Sequence, residues 1–304
     1  MQYLTKDSDP SPCNRGRRKA LVQLGLLPSG LTLLSLPAAE ASTHRRIVSV
    51  GGALTEIVFA LQAGSELVGV DTTSTFPASA QKLPSVGYAR TLSVEGVLAL
   101  APTQVIVTEE AGPPAVLRQL LASGVPVAVL AANHRFEGLL ERVKRVGELT
   151  ERVAQASAML QTMQRDWRLV RSQVAQRAGK PARVLFILAH SPNQVVVAGS
   201  DTNAQAMMDY VGATNAINGF AGYKPLTPEA VIAAQPDIVA FTDQGVAANG
   251  GAAGLLKLPG LDQTPAGRSQ RFVSLEAMFL LGFGPRLPAA VAALDAAIVK
   301  AMRA

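Results

Sequence analysis

The sequence predicts an α/β protein of two lobes, each with a central, mostly parallel β-sheet flanked by helices. A single long α-helix joins the lobes, and a ligand cleft lies between them. Three observations support this prediction. Short apolar segments alternate with helical segments in two separate stretches, residues 136–179 between them contain no proline, and one sequence pattern occurs once in each stretch. A chain of 304 residues is long enough to form two cores.

The first 41 residues have the composition of an export signal. A basic segment at 15–19 is followed by an apolar run at 20–37 and by small residues up to Ala41. A membrane anchor is the alternative, but Gln23 and Pro28 interrupt the run. We therefore expect cleavage near Ala41 and a periplasmic location.

The composition of the remaining chain excludes several classes of protein. Apolar residues make up 48% of the sequence and charged residues 16%, which is typical of a compact globular protein. Residues 42–304 keep 23 basic and 19 acidic side chains, an excess too small and too scattered for nucleic acid binding. The only cysteine, Cys13, precedes the apolar run, so we expect no disulfide, no thiolate metal site and no lipid anchor.

The predicted N-terminal lobe covers residues 42–135, and its strands and helices alternate. Strands are expected at 46–50, 66–70, 104–107 and 125–130, with helices at 53–64 and 113–124. Alternating strands and helices favour a parallel sheet covered on both faces.

Residues 136–179 are expected to connect the lobes. Apolar residues recur there at helical spacing, which predicts either one long helix or a helix with a break near Gly147. The predicted C-terminal lobe covers 180–304, with strands at 183–188, 194–199, 237–241 and 271–275 and helices at 203–212 and 285–302.

Two segments of the chain share one pattern. "VGYARTLSVEGVLALAP" covers 86–102 and "AGYKPLTPEAVIAAQP" covers 221–236. Each begins with a Gly-Tyr pair, Tyr88 in the first copy and Tyr223 in the second, and each is followed by a predicted strand. The repeat predicts that two lobes of one plan face each other, each with a tyrosine loop at the cleft.

The middle of each copy predicts the start of a helix. Ser93 and Thr227 are typical N-cap residues, and Glu95 and Glu229 follow in the first turn, where the positive helix end favours a carboxylate. Stabilisation of the helix is therefore a sufficient explanation for each glutamate alone. A tyrosine in a loop is likewise most often a packing residue.

Four stretches carry a resemblance to a known family: "SVGYARTLSVEGVLALAP", "VAGSDT", "GYKPLTPEAV" and "LGFGPRLP". With them the chain resembles the periplasmic haem-binding proteins of bacterial haem ABC importers, which are class III substrate-binding proteins. The resemblance implies that haem b binds in the cleft with Tyr88 as axial iron ligand. It also implies delivery to an inner-membrane haem permease and its ATPase, with Glu95 and Glu229 docking on permease arginines. Ferric haem accepts a phenolate oxygen as ligand.

Further pocket residues follow from the resemblance. Arg90 either stabilises the phenolate or pairs with solvent or a haem propionate, and Tyr223 either stacks on the porphyrin or hydrogen-bonds a propionate. His190 is a candidate from the second lobe, although packing explains a single histidine equally well. Gln244 stands where some relatives have arginine, which puts a charged partner in doubt.

Other functions fit the sequence less well. The same fold with a ferric siderophore or cobalamin as ligand is the nearest alternative. His44 and His134 are expected to be bystanders, so a site for a bare metal ion is not favoured. No G-x-S-x-G, Walker or cysteine nucleophile motif indicates an enzyme. We therefore expect a monomeric binding protein without nucleic acid partners.

Overall fold

The computed structural model describes residues 45–177, 179–188 and 195–303. Its first sheet has four parallel strands in the order β2-β1-β3-β4. The strands are β1 (Ile47–Val50), β2 (Leu67–Val70), β3 (Gln104–Thr108) and β4 (Val127–Leu130). The helices of this part are α1 (Gly52–Ala60), α2 (Val94–Leu98) and α3 (Pro114–Ala122). The four strands coincide with the predicted apolar segments.

The segment after β4 is a helix with a break near Gly147, which is one of the two forms that the sequence predicts. It contains α4 (Phe136–Leu149) and α5 (Val153–Ala175). Glu151 has a left-handed backbone (φ 55°), and the Arg152 N–H donates to the Gly147 carbonyl at 2.7 Å, which closes α4 in a Schellman-type turn. Gly147 also lets α5 approach, because a Cβ there would lie 2.5 Å from the Ala156 Cβ. Among the described helices, none combines the length and the apolarity needed to span a membrane.

The second sheet is also parallel, in the order β10-β9-β5-β7, and an antiparallel pair β6-β8 accompanies it. The strands are β5 (Arg183–Phe186), β6 (Val195–Ala198), β7 (Thr214–Asn215), β8 (Tyr223–Leu226), β9 (Ile238–Thr242) and β10 (Phe272–Leu275). The helices are α6 (Asn203–Tyr210), α7 (Pro228–Ala234), α8 (Asp243–Ala248), α9 (Ala252–Leu255), α10 (Pro265–Arg268), α11 (Ala277–Leu281) and α12 (Leu287–Arg303). Two sheets of mostly parallel strands flanked by helices confirm the predicted fold class.

One apolar cluster runs through both sheets and the helices between them. It is continuous from α1 across α4 and α5 to β5 and α12, and its buried members include Ile57, Val143, Val170, Phe186 and Leu294. Separate clusters fill the outer face of each sheet. The two sheets therefore share a core, and the lobes are not independent domains on a flexible linker.

A buried ion pair joins the first helix to the last. The Arg286 guanidinium donates to both carboxylate oxygens of Glu56, from Nε at 3.0 Å and from Nη2 at 2.9 Å. The same guanidinium lies over the Phe76 ring at 3.9 Å and near the Phe279 ring at 5.1 Å. Burial raises the pKa of Glu56, and the hydrogen bonds and charge of Arg286 oppose that rise. A guanidinium that donates two hydrogen bonds to the two oxygens of one carboxylate is among the strongest charge-assisted contacts in proteins.

A second contact links α4 to the residues just before Arg286. Arg142 of α4 is buried, and its Nη2 donates to the Phe283 carbonyl at 3.0 Å, while Nη1 donates to the carbonyls of Ala131 and Asn133. Phe283 has a left-handed backbone (φ 52°), which turns its carbonyl toward α4. The stretch "LGFGPRLP" thus contains both cross-lobe contacts.

Aromatic stacking completes the junction. Trp167 of α5 stacks on Phe136 with ring centroids 4.4 Å apart and meets the Tyr210 ring edge-on at 4.6 Å. The Tyr210 hydroxyl accepts the Phe136 N–H at 2.9 Å. The start of α4 and the end of α6 are therefore held on the same tryptophan.

We expect Arg286→Met to destabilise the protein by about 3 kcal/mol at neutral pH, because it leaves the Glu56 carboxylate buried without its cation. The change removes the side-chain hydrogen bonds and the charge that lower the Glu56 pKa, so its folded pKa lies further above the unfolded value. The loss of stability grows as the pH rises from about 4.5 through that raised pKa. Urea denaturation of the variant at several pH values measures both effects.

Glu56→Gln in the same chain removes the buried charge and is expected to recover most of the loss. Wild-type stability in Arg286→Met, or a double variant weaker than the single one, would contradict the assigned role of the pair.

Candidate functional site

Tyr88 lies on a loop that is hydrogen-bonded on both sides. The carbonyls of its neighbours Gly87 and Ala89 accept the N–H groups of Thr72 and Gly112, each at 2.9 Å. The loop therefore presents the ring in a defined place, and 46% of Tyr88 is exposed. The phenol is therefore accessible to a ligand.

The position of this loop matches a general rule for parallel sheets. Thr72 follows β2 and Gly112 follows β3, so the loop is attached beyond the carboxyl ends of the two strands that flank β1. In open α/β sheets ligands bind at this edge.

Arg90 has a carboxylate partner. Its Nη2 lies 3.4 Å from Glu110 Oε1, and the side chains are 62% and 43% exposed. This protein partner is not among the roles expected for Arg90, which stay predictions. Sequence reasoning missed Glu110, because a glutamate in a loop after a strand has no periodicity or motif to identify it.

His134, expected to be a bystander, lies beside this pair. Its Nε2 is 3.9 Å from the same Glu110 oxygen, and its ring meets Phe283 edge-on at 5.9 Å. Burial lowers the pKa of His134, and the negative charge of Glu110 opposes that effect. His134 also lines a cavity of about 520 Å³ that residues of α6 close from the other lobe, among them Gln205 and Asp209.

Tyr223 occupies the corresponding place in the second lobe, as the first residue of β8 opposite Ala198 of β6. Burial raises the pKa of its phenol, and hydrogen bonds from the Ala204 backbone and the Thr202 side chain lower it in part. The charges of Arg90 and Glu110 also act on this pKa, in opposite directions. Tyr223 is therefore within electrostatic range of the Arg90–Glu110 pair.

The side chain of Gln244 is hydrogen-bonded at the start of α11. Its Oε1 accepts the Ala277 N–H at 3.0 Å, and its Nε2 donates to Glu276 Oε1 at 3.3 Å. Glu276 in turn caps α11 by accepting two further backbone N–H groups. Both amide atoms of Gln244 thus stabilise the start of α11. The other two candidate histidines, His44 and His190, lie outside the described residues.

Glu95 and Glu229 have matching surroundings. Both are exposed in the first turn of a helix, α2 and α7 respectively. Ser93 Oγ and Thr227 Oγ1 accept backbone N–H groups of these turns at 3.1 and 3.3 Å, as predicted for N-caps. Hydrogen bonds from its own N–H and from Thr227 lower the pKa of Glu229.

The two copies of the pattern also end alike. Ala101 and Gln235, each directly before the closing proline, have left-handed backbones with φ of 44° and 42°. From the cap onward the repeat is thus a repeat of structure, a capped helix followed by a strand. The tyrosines differ: Tyr88 lies on a loop as predicted, whereas Tyr223, also expected on a loop, begins β8 because its segment pairs with β6. Within the described parts of the chain, no three His, Cys, Asp or Glu side chains are grouped to hold a metal ion.

Comparisons with known proteins agree with this geometry. The family model described as periplasmic binding protein matches residues 47–278. The solved structure of the periplasmic heme-binding protein BhuT in complex with two hemes is 46% identical, with a TM-score of 0.81. That match covers 85% of this chain and 99% of BhuT.

Two curated relatives are more distant. The uncharacterized ABC transporter substrate-binding lipoprotein YvrC of Bacillus subtilis is 26% identical over 80% of this chain and 76% of its own length. The vitamin B12-binding protein of Yersinia pestis is 32% identical over 38% of this chain and 42% of its own length. Since the family model covers most of the chain and the fold agrees, the chain belongs to the periplasmic binding protein family, as a substrate-binding protein of class III.

Proposed function

We propose that this protein captures ferric haem, haem b, in the cleft through Tyr88 and delivers it to an inner-membrane ABC permease and its ATPase. The observation that carries the proposal is the exposed Tyr88 phenol, held on a hydrogen-bonded loop at the carboxyl edge of the first sheet. The 46% identity to a protein solved with two hemes supports haem as cargo. The protein binds and transfers its cargo, and no catalytic step is part of the proposal.

The tyrosine oxygens proposed to line the cleft suit a metal ion that is already held by another chelator, such as the iron of haem. Haem iron holds four porphyrin nitrogens and takes only axial ligands from a protein, for which a single phenolate is sufficient. Tyr88 and Tyr223 are single donors on opposite lobes. Arg90 supplies the cation near the first of them, and a guanidinium is well suited to a propionate.

Cobalamin is the second candidate, because vitamin B12-binding proteins match part of the chain. Cobalamin contains its own lower axial ligand, so it has no need of a protein phenolate. Calorimetric titration with cyanocobalamin in parallel with hemin separates the two ligands, and binding of cyanocobalamin alone would favour this alternative.

The repeat suits a contact with a two-fold symmetric partner. Glu95 and Glu229 are both exposed, and each lies at the start of a capped helix in a different lobe. A permease dimer with one arginine patch per subunit could accept both at once. Exposed ion pairs contribute little individually, so the two contacts would mainly fix orientation. Iron acquisition from the periplasm is the process in which we place the protein.

We expect Tyr88→Phe to weaken hemin binding by at least about tenfold and to abolish the phenolate-to-iron charge-transfer band. The change removes one oxygen and keeps the ring. Tyr223→Phe is the matched control, with the same atom lost from the other lobe, and should keep the band. Absorbance titration of the apoprotein with hemin measures both properties, and an unchanged spectrum in Tyr88→Phe would exclude this residue as the ligand.

We expect Glu95→Lys/Glu229→Lys to leave the hemin dissociation constant unchanged and to stop haem uptake into vesicles that contain the permease and ATPase. The two side chains are exposed outside the cleft, so the change acts on docking alone. Glu141→Lys, a reversal of an exposed glutamate in α4, is the control and should transport normally. Loss of hemin binding in the double variant, or transport at the wild-type rate, would contradict the docking role.

A further inference from the structure

Glu110 is an acidic side chain in a cleft proposed to take a ligand with two carboxylates. Glu110 is the second residue after β3, following Glu109. It lies at the same carboxyl edge of the first sheet as the Tyr88 loop. Its Oε1 is 3.4 Å from Arg90 Nη2 and 3.9 Å from His134 Nε2. One oxygen thus has two nitrogen neighbours, one always cationic and one titratable.

The backbone fixes Glu110 and Arg90 relative to each other. Gly112 N–H donates to the Ala89 carbonyl at 2.9 Å, and Leu92 N–H donates to the Gly112 carbonyl at 2.8 Å. These two bonds join the loop of Arg90 to the loop of Glu110. The two side chains are consequently kept within reach of each other, although both are largely exposed and their contact is weak.

The pair lies next to the proposed iron ligand. Arg90 is two residues after Tyr88, and the loop of Glu110 is bonded to the Tyr88 loop through the Gly112 N–H and the Ala89 carbonyl. A ligand carboxylate that approaches Arg90 therefore meets the Glu110 carboxylate on the same guanidinium, and like charges at such distances repel.

We propose that Glu110 is a release residue, whose carboxylate competes with a carboxylate of the bound porphyrin for the Arg90 guanidinium. This inference rests on the proposed function. In the empty cleft Arg90 pairs with Glu110, and on binding a propionate replaces Glu110, which turns to His134. Because exposed pairs of this kind are worth little individually, the exchange is nearly balanced. The iron–phenolate bond then holds the cargo, and the carboxylate contact is easily reversed when the permease opens the cleft.

The test is the rate at which ferric haem leaves Glu110→Gln for an excess of an apo-globin acceptor. We expect dissociation to slow by about two- to fivefold, the range that corresponds to one exposed ion pair. The absorption spectrum should stay that of wild type, because Tyr88 is unchanged. With the dimethyl ester of ferric protoporphyrin, which has no free carboxylates, wild type and variant should release at the same rate.

Two further variants isolate the pair. Glu109→Gln removes the same charge one residue away and keeps the oxygen that accepts the Ala132 N–H, so it should release haem at nearly the wild-type rate. In an Arg90→Ala background, Glu110→Gln should have no effect on release.

Each other outcome counts against the inference. An unchanged or faster release from Glu110→Gln, or equal slowing with the ester, would overturn the role of Glu110 while leaving haem capture intact. A wild-type protein that binds no haem would overturn the proposed function, and the inference with it.

Discussion

The structure depends on the buried pair of Glu56 and Arg286. These residues are 230 positions apart, one in the first helix and one at the start of the last, and they place the two sheets relative to each other. The pair is well matched and two aromatic rings lie against the guanidinium, so removal of Arg286 would leave the buried Glu56 carboxylate without its cation.

The other contacts of the junction follow from this arrangement. Gly284 lies against the Glu56 carboxylate, where a Cβ would come within 3.3 Å of its carbon, and Phe283 is turned so that Arg142 binds its carbonyl. A junction of buried charges and stacked rings has few alternative packings. Cargo entry and exit are therefore expected to involve small movements of the lobes and of side chains on the cleft walls, in contrast to wide hinge closure.

The fold was predictable because its signals are local and repeated. Apolar segments identified the strands, and Ser93 and Thr227 marked helix starts by their chemistry alone. The junction was not predictable, because Glu56 and Arg286 are single charged residues far apart in sequence, and no period relates them. Likewise the pairing of Arg90 with Glu110 arises from two loops that only the parallel sheet brings together.

The two copies of the repeated segment share a sequence pattern but differ in the surroundings of their tyrosines. The glutamates and their caps are equivalent in both copies, but the tyrosines are not. Tyr88 lies on a loop directly before a short 3-10 turn and is 46% exposed. Burial raises the pKa of Tyr223, and the phenol already interacts with the first turn of α6. The shared sequence pattern thus places one tyrosine on an exposed loop and the other against the start of a helix, which is why we propose Tyr88 as the iron ligand and a hydrogen-bonding role for Tyr223.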